Sequence, residues 1–412
     1  MTTQTGMARG MTAVLSTLVL WCVTACSGGS SNTVTITPTP IPQTTKYVAI
    51  FDVNCRVLIF DTPITTDMNA SAVLGQSSYT GSCGPVATGQ NTLGGTSFGG
   101  SAVFDASGNL FVTDTANNRI LQFATPFSNG MNAAVVIGQS NFTSSGYSSA
   151  ANGLIFPTGL AIDASGNLWV VDQGNDRVLE FKQPFSTGMA ASVAIGANST
   201  GQAGVACNII LSGNGATNNT ICSATALAFD ASGNLWVMDR GYNRVLEFAA
   251  PLTTGMAATL ELGHASGSAA FTATQANDGG LYSASALSFP TGLQFDAHGN
   301  LWVADTDNGR LLEFSAPFTN GMAATTVLGQ PDFTDVYLRT SQNGMSSPTD
   351  IAFDASGNLM VSDANLNRVL LFEPPFSNGM NATTVLGSAN FTTAGSGAAT
   401  QSTFRPYGIA MF

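Results

Sequence analysis

Reactive chemistry is sparse in this 412-residue chain, which carries two histidines, six cysteines, 24 carboxylates and 12 lysines and arginines. The histidines are the first place to look for metal ligation or general-base work, since neutral imidazole serves both. His264 directly follows a Gly that closes a repeated unit, whereas His298 sits inside a D-A-H-G-N turn. The cysteines show no C-x-x-C spacing and no neighbouring His, so they do not read as a zinc site. Five acids, Asp105, Asp163, Asp230, Asp296 and Asp354, open near-identical turns. Five more, Asp114, Asp172, Asp239, Asp305 and Asp363, each precede an arginine by five residues, at Arg119, Arg177, Arg244, Arg310 and Arg368. A group required identically in every unit serves the unit before it serves a reaction. The turn Asp can accept local backbone hydrogen bonds, and the Asp and Arg of each pair flank a hairpin and are expected to bond across it. Arg56 is the remaining repeat arginine; Phe51 stands at its Asp position and Asp52 lies one residue out of register, so its partner is expected to be missing.

These positions belong to an array. From each D-A-x-G-N turn to the Gly that ends the unit (Gly138, Gly196, Gly263, Gly329, Gly387) the interval is 33 residues. Within Phe156 to Gly196 four short apolar runs, GLAID, LWVVD, RVLEF and SVAIG, are separated by Gly, Asn, Ser and Pro turns and read as strands. Their near-continuous apolarity suits a sheet buried on both faces, and a four-stranded antiparallel sheet stacked between neighbours is a propeller blade. At the ends of the chain, Tyr47 to Phe60 matches the second and third strands of a unit whose first strand is missing, and Arg405 to Phe412, RPYGIAMF, matches that first strand. The sequence therefore predicts an all-β, six-bladed β-propeller over residues 46–412, its ring closed by pairing the two terminal segments in one blade, which leaves no open sheet edge. A closed ring is a single domain, and a monomer is expected.

An up-and-down blade gathers alternate connections on opposite faces. The D-A-x-G-N turns and the P-F-S-N-G-M loops share one face, the bottom, and hardly vary. The top carries the loops TANN, QGND, RGYN, TDNG and ANLN together with inter-blade segments of unequal length. Variable loops on a rigid rim are where recognition usually sits. The candidate contacts are the top residues that break the repeat: Arg240, Tyr242, Tyr282, Asp307, Asp335, Tyr337, Arg339 and Asp350. Asp350 replaces the Gly of P-T-G (Gly159, Gly292) near the central channel. His264 falls on top and His298 on the bottom, so a two-His metal site and a Ser-His-Asp arrangement are not expected. No cofactor is expected, save that Ca²⁺ at Asp350 would suit an oxygen-ligand site if further ligands were present.

Residues 1–25 join one arginine, Arg9, to an apolar run ending V-T-A-C, as an export signal does. The tetrapeptide resembles a bacterial lipobox, which makes Cys26 the expected lipidated residue, with ordinary cleavage after Ala25 as the alternative. Residues 26–45 are Ser/Thr/Pro-rich and read as an extended tether. The expected location is extracytoplasmic, anchored to a bacterial membrane through the lipid alone, or secreted. Four cysteines then remain, and export favours two disulfides; local pairing, Cys55 with Cys83 and Cys207 with Cys222, is the favoured connectivity of three. The net charge is −12 and no basic stripe is present, which argues against nucleic-acid binding.

The pattern P-x-G-(L/I)-A-x-D-x-x-G-N-L-W-V-x-D-x-x-N-x-R-(V/I/L)-L-x-F, in Pro157 to Phe181, Pro290 to Phe314 and Pro348 to Phe372, resembles the NHL repeat, and the resemblance covers nearly all of residues 46–412. A segment G-Q-x-x-(F/Y)-T at Gly75, Gly138 and Gly329, degraded at Gly387 and absent after Gly196 and Gly263, is similar to one in some bacterial NHL-repeat proteins. The resemblance implies six blades and leaves activity open, because such propellers include interaction modules, sensor domains and a metal-dependent lyase, and related ones are metal-dependent hydrolases. The residues favour a non-catalytic binding or scaffolding module for a protein, peptide or glycan ligand. The alternative is a metal-dependent hydrolase or lyase working at the channel mouth.

Overall fold

The computed structural model describes residues 47–81, 83, 88–94, 100–196, 215–264, 271–280, 282–335, 337–397, 400 and 404–412. The expected signal (1–25), tether (26–45), Cys26 and Cys207 lie outside the described residues.

Six four-stranded antiparallel sheets form the blades of a six-bladed β-propeller. Blade 3 shows the pattern: Pro157–Ile162, Leu168–Asp172, Arg177–Phe181 and Val193–Ile195 run from the channel outward. Blade 1 has the same order but takes its innermost strand, Pro406–Met411, from the carboxyl terminus and the next three, Tyr47–Asp52, Arg56–Asp61 and Ala72–Leu74, from the amino-terminal side. The closing pairs run from Val48 opposite Met411 to Asp52 opposite Pro406, and Tyr47 and Phe412 exchange backbone bonds of 3.0 and 3.3 Å. Blades 2, 4, 5 and 6 begin at Ala102, Ala226, Leu293 and Pro348.

The apolar runs are continuous because both faces of a blade are covered. Phe111, Ile120 and Ile137 of blade 2, for example, pack with Leu160, Leu168, Val170 and Leu179 of blade 3 in one buried cluster. Trp236 of blade 4 is fully buried, with its ring edge-on to Phe295 at 5.7 Å and Phe318 at 4.8 Å in blade 5. Such contacts join neighbouring blades by burial and ring geometry together.

The repeat acids are architectural. At the bottom, Asp163 Oδ1 accepts from the backbone N–H of Ser165 (2.8 Å) and Asn167 (2.9 Å), and Oδ2 from Asn167 Nδ2 and Trp169 Nε1, both at 3.0 Å. At the top, each repeat arginine donates from Nε to its Asp, as Arg177 does to Asp172 at 2.7 Å with both side chains buried. The other guanidinium nitrogens bond backbone carbonyls of the inter-blade segments: Arg177 reaches Ser149, Ala150 and Gly153. Burying an ion pair is costly unless its remaining donors and acceptors are satisfied, and here carbonyls satisfy them.

Two expectations are corrected. Arg56 has its partner, since its Nε lies 2.6 Å from Asp52 Oδ2. The loop of blade 1 is one residue shorter than the others, with Cys55 in the left-handed region at φ 65°, so the Asp shifts in sequence while remaining opposite the Arg. The F-T pair is also not lost after Gly263. Arg244 Nη1 donates to Phe271 O at 2.9 Å, the part played for Arg119 by Phe142 and for Arg368 by Phe391. An insertion separates Phe271 from its Gly and hides the match.

Cys55 and Cys83 form a disulfide with a Cα–Cα distance of 5.3 Å, tying the top loop of blade 1 to the segment after it. Cys222 is also disulfide-bonded. Disulfides fit an oxidising, extracytoplasmic compartment. No helix among the described residues is long and apolar enough to cross a membrane.

Candidate functional site

The six innermost strands line a channel of about 280 Å³. Near its top, four threonines at one repeat position form a belt. Thr158 donates to Ala224 O (3.1 Å), Thr225 to Thr291 O (2.7 Å), Thr291 to Thr349 O (2.8 Å) and Thr349 to Tyr407 O (2.9 Å). Each hydroxyl bonds the backbone of a neighbouring blade, so the threonines hold the ring and have little left for a ligand. The belt is broken where Tyr407 and Gly100 take the position in blades 1 and 2. The next position is crowded: a Cβ added to Gly292 would lie 2.6 Å from Thr349 O. Blade 6 nevertheless has Asp350 there.

Asp350 faces the channel while protein surrounds the rest of it. Its Oδ2 accepts from Ile409 N–H and its Oδ1 from Ile351 N–H, both at 2.9 Å. Burial pushes its pKa up to about 7 against those two bonds. By surface area the residue is only half-buried, because the channel itself gives it open space. The surrounding protein governs its titration, since a narrow channel solvates a charge poorly. Tyr407 shares this mouth: burial raises its hydroxyl pKa, Arg240 opposes that rise and Asp350 adds to it.

Arg240 begins the top loop of blade 4, and its guanidinium lies over the Phe289 ring at 5.2 Å. Its Nε is buried with no hydrogen-bond partner among the described residues. Asp307 lies on the adjacent loop with its side chain reaching solvent, and the protein on one side of its carboxyl raises its pKa by partial desolvation, with Arg240 pulling the other way. Arg240 thus acts on Asp307 and, together with Asp350, on Tyr407, while Asp350 and Tyr407 themselves line the mouth.

The other expected contacts lie apart from it. Asp335 and Arg339 pair at 2.7 Å on the segment between blades 5 and 6, and Tyr337 stands 74% exposed beside them. Tyr282 is exposed on the segment between blades 4 and 5. Tyr242 is buried, packed with Ala216 and Cys222 beneath the Arg244 guanidinium, and contributes to the wall rather than to an exposed surface. Tyr407 was missed from the sequence although the signal was present: RPYGIAMF has Tyr where FPTGLAID has Thr.

The histidines do not meet. His264 is buried, with Nδ1 2.7 Å from Glu261 Oε1, and His298 is exposed in its bottom turn. Among the described residues no group of three His, Cys, Asp or Glu side chains is placed to hold a metal ion. Asp350 is not joined at the mouth by two further His, Cys, Asp or Glu side chains among the described residues, as a Ca²⁺ site built on side-chain carboxylates would need. A second cavity, about 490 Å³, lies on the bottom between blades 5 and 6 and includes His298, Pro374, Pro375 and Phe376. It is larger than the channel, but most of its lining comes from turns and loops repeated in the other blades.

No protein-family model matches the chain, and no curated protein matches it. Among solved structures it is similar to a virginiamycin B lyase from Staphylococcus aureus, at 12% identity and a TM-score of 0.41 over 81% of this chain and 83% of that one. A chain of a nidogen/laminin complex gives 13% and 0.49, over 89% and 97%. A protein of unknown function from Bacteroides caccae gives 8% and 0.49, over 90% and 99%. At these values the likenesses do not bear on the site.

Proposed function

We propose that this chain is an exported NHL-type propeller, lipid-anchored through Cys26, that captures a ligand at the top mouth of its channel without transforming it. The observation that supports the reading is that Asp350 and Tyr407, two residues that break the repeat, line one mouth of an otherwise repetitive ring, with Arg240 acting electrostatically on Tyr407. Recognition needs chemistry that differs from blade to blade, and the belt of threonines is interrupted at Tyr407, which lines the mouth with Asp350. Two acids, a tyrosine and one arginine can orient a ligand by hydrogen bonds and charge.

The test is capture on peptide and glycan arrays by the mature chain and by a variant that restores the repeat, Asp350→Gly with Tyr407→Thr. Capture by the parent and its loss in a folded variant is the expected result. Equal capture by both would place recognition elsewhere.

A further inference from the structure

The first residue of the top loop has a common task in three blades. Thr115 Oγ1 donates to Pro157 O (2.7 Å), Gln173 Nε2 to Ala224 O (3.1 Å) and Thr306 Oγ1 to Pro348 O (2.8 Å). Each reaches across to the start of the next blade and caps a carbonyl there. In blade 4 this residue is Arg240, and it too reaches the next blade, at Phe289. Its guanidinium lies over the ring instead, with Cζ 5.2 Å from the centroid, and its buried Nε finds no partner among the described residues. A guanidinium held over a ring by cation–π attraction does not use its N–H donors in that contact, and an unmade bond at a buried donor costs stability unless a ligand supplies the acceptor.

We infer that the mouth takes its ligand through a carboxylate, held by Arg240, with the rest of the ligand directed toward Tyr407 and Asp350. This rests on the reading of the mouth as a binding site and names the chemistry it selects. A guanidinium edge matches the two oxygens of a carboxylate. A phosphate would bring a second negative charge beside Asp307 and Asp350, with Arg240 as the cation that these surroundings feel. Asp350 is faced by the N–H groups of Ile351 and Ile409 and by Tyr407, and among the described residues no cation pairs with it. When protonated it offers a donor to the ligand; when ionised it repels an anion. Capture should therefore strengthen as pH falls from 8 to 6, a range of about two units around its titration.

Benzoate, benzamide and phenyl phosphate share one ring and differ in the group offered to Arg240, so saturation-transfer NMR titrations of the mature chain with these three probes test the inference. Benzoate is expected to bind roughly tenfold more tightly than benzamide and at least as well as phenyl phosphate. Arg240→Gln installs the residue that blade 3 already carries at this position, so it is expected to fold and to reduce benzoate to the benzamide level. If benzoate and benzamide bind alike, and both are lost in Tyr407→Thr, the carboxylate inference fails while the mouth remains the site. Tighter binding of phenyl phosphate would also overturn it. Absence of binding by every probe, or binding that neither substitution alters, would overturn both the inference and the site.

Discussion

Asp163 and Asp350 stand at opposite ends of equivalent innermost strands and show how the two faces of this propeller differ. Asp163 accepts three hydrogen bonds from its own turn and a fourth from the Trp169 indole on the strand that follows, and the same turn is repeated in other blades. Asp350 interrupts a row of small residues, bonds two backbone N–H groups and has its pKa pushed up to about 7 by burial. One carboxylate serves the fold. The other is held where the fold does not require it, at an electrostatic cost that a ligand can offset. The top is not uniformly functional either, because the buried Asp–Arg pairs beneath the loops tie down the inter-blade segments.

The largest predicted effect concerns the shared frame on which both faces depend. Deleting Arg405 to Phe412 removes the innermost strand of blade 1 and is expected to abolish cooperative unfolding, measured by calorimetry. A folded truncation with unchanged melting would mean that ring closure matters little. Next, Arg177→Met leaves Asp172 buried without its cation and is expected to cost about 3–5 kcal/mol in denaturant unfolding. At the bottom, Asp163→Ala removes acceptors from a single turn and is expected to cost roughly 1–3 kcal/mol, with no effect on ligand capture. A loss of capture there would break the contrast between faces.

Asp350→Gly sharpens it through pH. A carboxyl whose folded pKa lies above its unfolded value lends stability that is complete at low pH and is lost as pH rises through the folded value. The parent should therefore lose stability between about pH 4 and pH 7, and Asp350→Gly should flatten that part of the profile. The smallest effect is expected for Tyr337→Ala, an exposed change that should alter stability by less than about 0.5 kcal/mol.

Much of this was legible in the sequence. The 33-residue interval and the complementary terminal segments specify six blades and their closure, because a strand without a partner at one end of the chain has its match at the other. The faces followed from strand alternation. What was not legible depended on contacts in three dimensions. Tyr242 looks like a loop residue until Cys222 and Arg244 are seen around it, and the partner of Arg56 is concealed by a one-residue deletion. The state of the Arg240 Nε depends on where Phe289 lies.

Hydrogen–deuterium exchange with and without a captured ligand tests most directly whether the faces divide fold from recognition. The account predicts added protection at the top loop beginning at Arg240 and at the strand segments carrying Asp350 and Tyr407, with none at the turns opened by Asp163, Asp296 and Asp354. Protection centred on His298 and the Pro374–Phe376 segment would instead place recognition in the bottom cavity and contradict it.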